Sequence, residues 1–342
     1  MATLAADLLN GSRRALARAL TVVENERPDA QALLTALYPH TGRAWVIGVT
    51  GAPGTGKSSL VSAMAAAYRK QGKTVAIVAV DPTSPFTGGA ILGDRIRMRD
   101  LSGDAGVFIR SMATRGSLGG LARTTRDAVR VLDAAGFDII LMETVGAGQS
   151  EVDIARAAQT TLVVEAPGLG DDVQAIKAGI LEIADVLVVN KSDRPGADNT
   201  VRALRAMLEL GHPTNGGRMI SHHGLMMSDD ITHPSPALPV GDVWLPPVLR
   251  TIATGDSRTQ NDGIVELLTQ IETHRAYLLD GHRLREREHD RIEHEIRDRL
   301  AHTLMKNLLN AVSSEYYESV ISQVQARTLD PHSAIQALLS AR

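Results

Sequence analysis

The segment WVIGVTGAPGTGKSSLVSAMAAAY, residues 45–68, decides how the rest of the chain is read. An apolar, β-branched run passes through a glycine-rich turn into a stretch of good helix formers, so strand, loop and helix follow in that order. Within it Gly51–Ser58 is a complete G-x-x-x-x-G-K-S phosphate loop, in the context its mechanism demands. The glycines let backbone N–H groups turn toward phosphate oxygens, Lys57 neutralises the β and γ oxygens, and Ser58 offers an oxygen to Mg²⁺. Gly51, Ala52, Pro53, Gly54, Thr55, Gly56, Lys57, Ser58 and the adjoining Ser59 are the expected phosphate contacts. A glycine turn without a ligand is the bland alternative.

Outward from this segment, short β-rich runs recur: TVAIVAVD, VFIRS, DIILMETVG, TTLVVEAPG, ADVLVVNKSD and, after a long gap, PPVLRTIATG. Helix-like segments such as LGGLARTTRDAVRVLDAAG separate most of them. Continuous apolar strands alternating with amphipathic helices predict an α/β fold, a mainly parallel sheet flanked by helices, with ligands at the carboxyl ends of its strands. The organisation expected is an N-terminal helical extension (1–42), a phosphate-loop GTPase domain (43–262) and a C-terminal helical arm (263–342). Residues 1 to about 40 read as two helices broken by NERPDA. In the arm, Ile292, Ile296, Leu300, Leu304 and Leu308 recur every four positions among charged residues, an apolar stripe for a partner subunit's helix or for the chain's own core. Residues 211–242 lack periodicity and are rich in Gly, Pro and His, the mark of an irregular insertion.

Two further patterns give the nucleotide its identity. Asn190-Lys191-Ser192-Asp193 follows a buried run, and a carboxylate at Asp193 can accept from both N1–H and the exocyclic amine of guanine, whereas adenine presents an acceptor at N1. The pattern therefore selects GTP over ATP. The stem of Lys191 can lie on the base, and Asn190 can tie this loop to the phosphate loop. Thr251, Ile252 and Ala253, after the last strand, are placed to offer a backbone N–H to guanine O6. Glu143 ends a strand ahead of Gly146, where GTPases commonly carry D-x-x-G, so it is expected to hold the Mg²⁺ shell while Gly146 approaches the γ-phosphate. Capping the following turn is its structural alternative. Asp81 ends the second strand, and the Gly-rich stretch to Asp94 reads as a switch that orders around the metal. Arg95, Arg97 and Arg99 suit either transition-state charge or a solvated helix. No glutamine is evident as an orienter of water, although Gln149 is near in sequence.

Bulk properties fit this reading. The 342 residues are 44% hydrophobic and 22% charged, with 36 basic and 39 acidic side chains and a net charge of −3, which offers no general attraction to nucleic acid. Aromatic residues are 3% of the chain, too few for base-stacking platforms, and the absence of cysteine excludes disulfides and thiolate metal sites. No apolar run approaches the roughly 20 residues that span a bilayer. Asp7, Glu24 and Glu26 interrupt any transit-peptide pattern, so a cytoplasmic protein without membrane attachment is expected.

Taken together, GAPGTGKSS, VDPTSPFTGGAILGDRIRM, RGSLGGLA, ETVGAGQSE, EAPGLGDDVQAIKAGILEIAD and NKSD resemble the methylmalonyl-CoA mutase-associated GTPases of the MeaB type, which have also been called lysine/arginine/ornithine transport ATPases. The resemblance runs from about residue 10 to the end. It implies the GTPase class named for a Walker B glutamate, here Glu143, and a homodimeric, Mg²⁺-dependent GTPase that attends adenosylcobalamin-dependent methylmalonyl-CoA mutase. It further implies gating of cofactor loading and protection or rescue of the mutase. By the same analogy residues 166–177 are an additional switch, from which Lys177 reaches toward the nucleotide; helix surface is the equal alternative for Lys177. The insertion 211–242 is longer and richer in His and Met than the family pattern. Two other classes stay open. A nickel or cobalt insertion GTPase is motivated by His212, His222, His223 and His233, and a transport-linked kinase by the older family name. Slow intrinsic GTP hydrolysis, accelerated when a partner orders the switches, is the mechanism expected.

Overall fold

The computed structural model describes residues 2–82, 101, 103–114, 120–144, 150–168, 182–211, 243–254 and 262–340, without the side chains of 81, 82, 113, 114, 120–122, 150–153 and 211. Two compact units divide at residues 280 and 281.

The larger unit is built on a seven-stranded sheet in which every described pairing is parallel. Its strands are β1 (Trp45–Thr50), β2 (Val75–Pro82), β3 (Val107–Thr114), β4 (Ile139–Thr144), β5 (Thr160–Glu165), β6 (Val186–Asn190) and β7 (Val248–Thr251), in the order β3-β2-β4-β1-β5-β6-β7. Each corresponds to one of the runs picked out in the sequence. β1, β4 and β6 are buried at every position, as strands covered on both faces must be.

One face carries α1 (Ala2–Leu9), α2 (Arg13–Glu24), α3 (Ala30–Leu37), α5 (Gly120–Ala134), α6 (Ser150–Ala157) and α7 (Ala197–Gly211); the other carries α4 (Lys57–Lys70) and α8 (Ile264–Leu279). The N-terminal extension holds three helices where the sequence suggested two. Gly11, at φ +83°, ends α1, and the Ser12 hydroxyl then accepts from the Ala15 N–H to start α2. That cap lies within the span read as the first of the two helices, ahead of the NERPDA break. The extension is fastened to the sheet unit by Glu24–Arg110 and Glu26–Arg123 ion pairs and by Arg13, which donates to the Ala105 and Val107 carbonyls.

The smaller unit consists of α9 (Arg283–Ala311), α10 (Ser314–Gln325) and α11 (Pro331–Ser340). In α9, Ile292, Ile296, Leu300 and Leu304 are 45–59% exposed, and Glu293–Arg297 and Glu295–Arg299 pairs one turn apart brace other faces of the helix.

Candidate functional site

The phosphate loop leaves the carboxyl end of β1 and enters α4. Gly51, Gly54 and Gly56 take φ of +139°, +84° and +91°. A side chain at Gly51 would run into the Val164 carbonyl oxygen, and one at Gly56 would meet Asn190 Nδ2 at 2.5 Å, so close approach fixes both glycines as well as conformation. Side-chain donors hold the loop carbonyls. Lys57 Nζ donates to the Gly51 and Ala52 oxygens at 2.8 and 2.9 Å, Lys191 Nζ to Gly54 O at 2.6 Å, and Asn190 Nδ2 to Thr55 O at 2.8 Å. These bonds fix the loop's carbonyls and, because each peptide is planar, the directions of the N–H groups that share their peptide planes. Lys57 and Ser58 form the first turn of α4, where backbone N–H groups and the helix dipole both favour an anion. Ser59 follows them on the same turn and is half-buried.

Glu143 is buried near the end of β4, beside β1 in the register Val49↔Glu143. Its Oε1 accepts from Ser58 Oγ at 2.5 Å. A carboxylate and a hydroxyl converging at the N-terminus of α4 are hard oxygen donors, the set a magnesium ion takes while keeping several waters. The residues present therefore fit Mg²⁺. Asp81 lies near the carboxyl end of β2, the strand next to β4, where Val80 pairs with Thr144; its side chain is outside the described residues. So are Asp94, Gly146, Gln149 and Lys177, the arginines 95, 97 and 99, and the loop histidines 212, 222, 223 and 233. Among the described residues no group of three or more His, Asp or Glu is placed to hold a metal ion.

On the other side of β5, Asn190 ends β6 as a junction. Its Nδ2 holds the phosphate loop, while its Oδ1 accepts from Thr251 Oγ1 at 3.1 Å and the Ala253 N–H at 3.2 Å. The Ile252 N–H is bonded to Asp262 O at 2.9 Å. Lys191 adopts φ +55°, which turns the chain sharply as it leaves the strand and aims its stem over the phosphate loop. Asp193, two residues further on, is exposed.

Two buried threonines escaped the sequence reading. Thr50 and Thr144, both 0% exposed, close β1 and β4 with their hydroxyl oxygens 3.3 Å apart. Their signal was position: each is a polar residue ending an apolar strand, one just before Gly51 and one just after Glu143.

Comparison with known proteins adds the following. The family model described as "Methylmalonyl Co-A mutase-associated GTPase MeaB" matches residues 16–313. A Pyrococcus abyssi protein with the provisional name GTPase is 45% identical over 329 residues, 96% of this chain and 93% of that one. GTPase ArgK of Escherichia coli K12 is 34% identical over 336 residues, 97% and 93% of the two chains. The crystal structure of a LAO/AO transport system kinase superposes with a TM-score of 0.69 at 27% identity, over 99% of this chain and 96% of that one. No helix among the described residues is long and apolar enough to cross a membrane.

Proposed function

The chain belongs to the MeaB family of methylmalonyl-CoA mutase-associated GTPases, and from that membership we propose that it couples GTP binding and hydrolysis to the care of an adenosylcobalamin-dependent methylmalonyl-CoA mutase. The guanine nucleotide lies along the carboxyl edge of the sheet. Its phosphates sit in the loop from Gly51 to Ser59, and its base sits between the Lys191 stem and Asp193, with Thr251, Ile252 and Ala253 behind. Lys57 and the loop N–H groups stabilise charge that builds on the γ-phosphate as water attacks. Ser58 and Glu143, with Asp81 and Asp94, hold Mg²⁺, which when bound neutralises the phosphate oxygens. Asp94, Gly146 and Lys177 belong to switches that the mutase orders, so binding energy between the proteins goes into gating cofactor loading and rescue. Two copies associate through the exposed stripe on α9.

The observation that carries this reading is the Asn190 junction, which makes the phosphate loop and the base-reading loop one frame. Its chemistry is tested by Asp193→Asn. An amide keeps an acceptor for N1–H but presents a donor where guanine also donates, so GTP affinity falls about 10–100-fold while xanthosine triphosphate, an acceptor at that position, gains. Calorimetry measures both, and an unchanged guanine preference removes Asp193 from the base site. The partner is tested by retention of purified methylmalonyl-CoA mutase on the immobilised protein. Nucleotide-dependent retention, different with GDP and with a non-hydrolysable GTP analogue, is expected; equal absence with both refutes the partnership.

A further inference from the structure

β1 and β4 are the strands whose carboxyl ends deliver the phosphate loop and Glu143. Their described backbone ladder runs as far as Val49 against Glu143. One position further the ladder between these two strands stops, although each is still paired on its other side (Thr50 with Val163, Thr144 with Val80), and the link between them passes to side chains, through the Thr50 and Thr144 hydroxyls 3.3 Å apart in a fully buried setting. Successive strand residues face opposite sides, so Thr144 points away from the side on which Glu143 meets Ser58. The hydroxyl pair therefore acts on the site through the backbone.

We propose that Thr144 is a positioning residue for Glu143: with Thr50 it forms a two-hydroxyl clasp that fixes the end of β4 against the end of β1, and so sets the 2.5 Å approach of the Glu143 carboxylate to Ser58 Oγ. The reason is mechanical and electrostatic together. A glutamate places its carboxylate through three rotatable bonds, so its reach is set by where its Cα is held. Here the Cα lies at the last rung of the ladder between β4 and β1, one residue before β4 ends. At 3.3 Å the hydroxyl contact is long, but it is shielded from water and has no solvent competitor, and it joins β4 to β1 one position past their shared ladder.

This inference rests on the reading of Ser58 and Glu143 as magnesium ligands, and the test separates the two. The readout is the release rate of a fluorescent GDP analogue as magnesium is titrated, with thermal melting measured alongside. Thr144→Val and Thr50→Val each leave a buried hydroxyl without its partner, so both lower the melting temperature. Each also raises the magnesium concentration for half-maximal retention about fivefold to tenfold, the consequence of a displaced ligand rather than a lost one. Release in EDTA stays at the wild-type rate. Thr144→Ser restores the magnesium response. The double Val/Val variant replaces the polar pair with an apolar one, so it regains much of the melting temperature but not the magnesium response. If the magnesium response returns with stability in the double variant, or the single variants never lose it while Glu143→Ala does, the clasp is only structural and the proposal is overturned. If wild-type release does not depend on magnesium at all, the metal reading falls and takes the proposal with it.

Discussion

Asn190 uses both ends of one amide: its NH₂ holds the Thr55 carbonyl, and its oxygen receives a hydroxyl from Thr251 and an N–H from Ala253. Truncation removes all of these bonds and takes the partner from the Thr55 carbonyl, the Thr251 hydroxyl and the Ala253 N–H. Asn190→Ala is expected to weaken GTP and GDP together by about 10–100-fold in calorimetry, since the frame and not one phosphate contact is lost. The tie from Asn190 to the phosphate loop was legible in the sequence, because residues 51–58 and 190–193 each gather their chemistry into a few consecutive positions behind a strand; its bonds to Thr251 and Ala253 were not, since the backbone there reads as a donor to guanine O6. The clasp of Thr50 and Thr144 was not, because two threonines 94 positions apart carry no mutual mark until the strands pair. Asp133 illustrates the same limit. Its carboxylate accepts from the N–H groups of Gly42, Arg43 and Ala44, about ninety positions earlier, and so pins the entry of β1 from a helix that gives no hint of it.

Among the elements, the amino ends of the strands are joined by side chains as carefully as the carboxyl ends. Trp45 at the start of β1 donates from its indole to Thr160 Oγ1 at 3.0 Å, and that oxygen lies 2.9 Å from His274 Nδ1 on α8. An indole can only donate, so the threonine oxygen accepts from it and joins the indole to the imidazole. On the other side of the ring, Nε2 lies 3.3 Å from Asp185 Oδ1. A lone histidine on a helix gives no sign of such a network in sequence. Before β4, the Asp138 carboxylate accepts from the N–H and hydroxyl of Thr74, just before β2. Burial pushes Asp138 upward, but the two Thr74 bonds and the nearby Lys73 and Arg275 outweigh it and hold the carboxyl below the usual range. A depressed folded value means the contribution is present above the unfolded pKa, about 4, and is lost as pH falls through the folded value. Asp138→Asn is therefore expected to melt about 1–2 °C lower than wild type at pH 7, with the gap closing below about pH 4. A gap that persists into acid would mean that the carboxylate's charge plays no part.

For the whole molecule, the strand–helix alternation was readable because each strand is a short apolar run with its own punctuation, and the long helix α9 was readable from its four-residue repeat, whereas α8, inside the span expected for the arm, belongs to the larger unit. The place of the insertion was not. It leaves the end of α7, and the chain returns at Trp244, whose indole donates to Asp185 O at 2.7 Å, next to the amino end of β6. Both ends thus lie at the opposite edge of the sheet from the phosphate loop. The stripe on α9 makes a prediction at this scale. If two copies pair through it as proposed, light scattering finds the wild type dimeric and Ile296→Glu combined with Leu300→Glu monomeric while GTP binding persists; a wild-type monomer, or a dimer that survives the substitutions, overturns that pairing. The strand order has its own consequence. In the binding mode proposed above, the triphosphate grip hangs on β1 and the purine test on β6, with β5 alone between them. Neighbouring strands lie about 4.8 Å apart, so the sheet works as a ruler about 10 Å long between the two ends of the ligand. Selectivity is thus a matter of length as well as of donors and acceptors, graduated by a strand that itself need touch nothing.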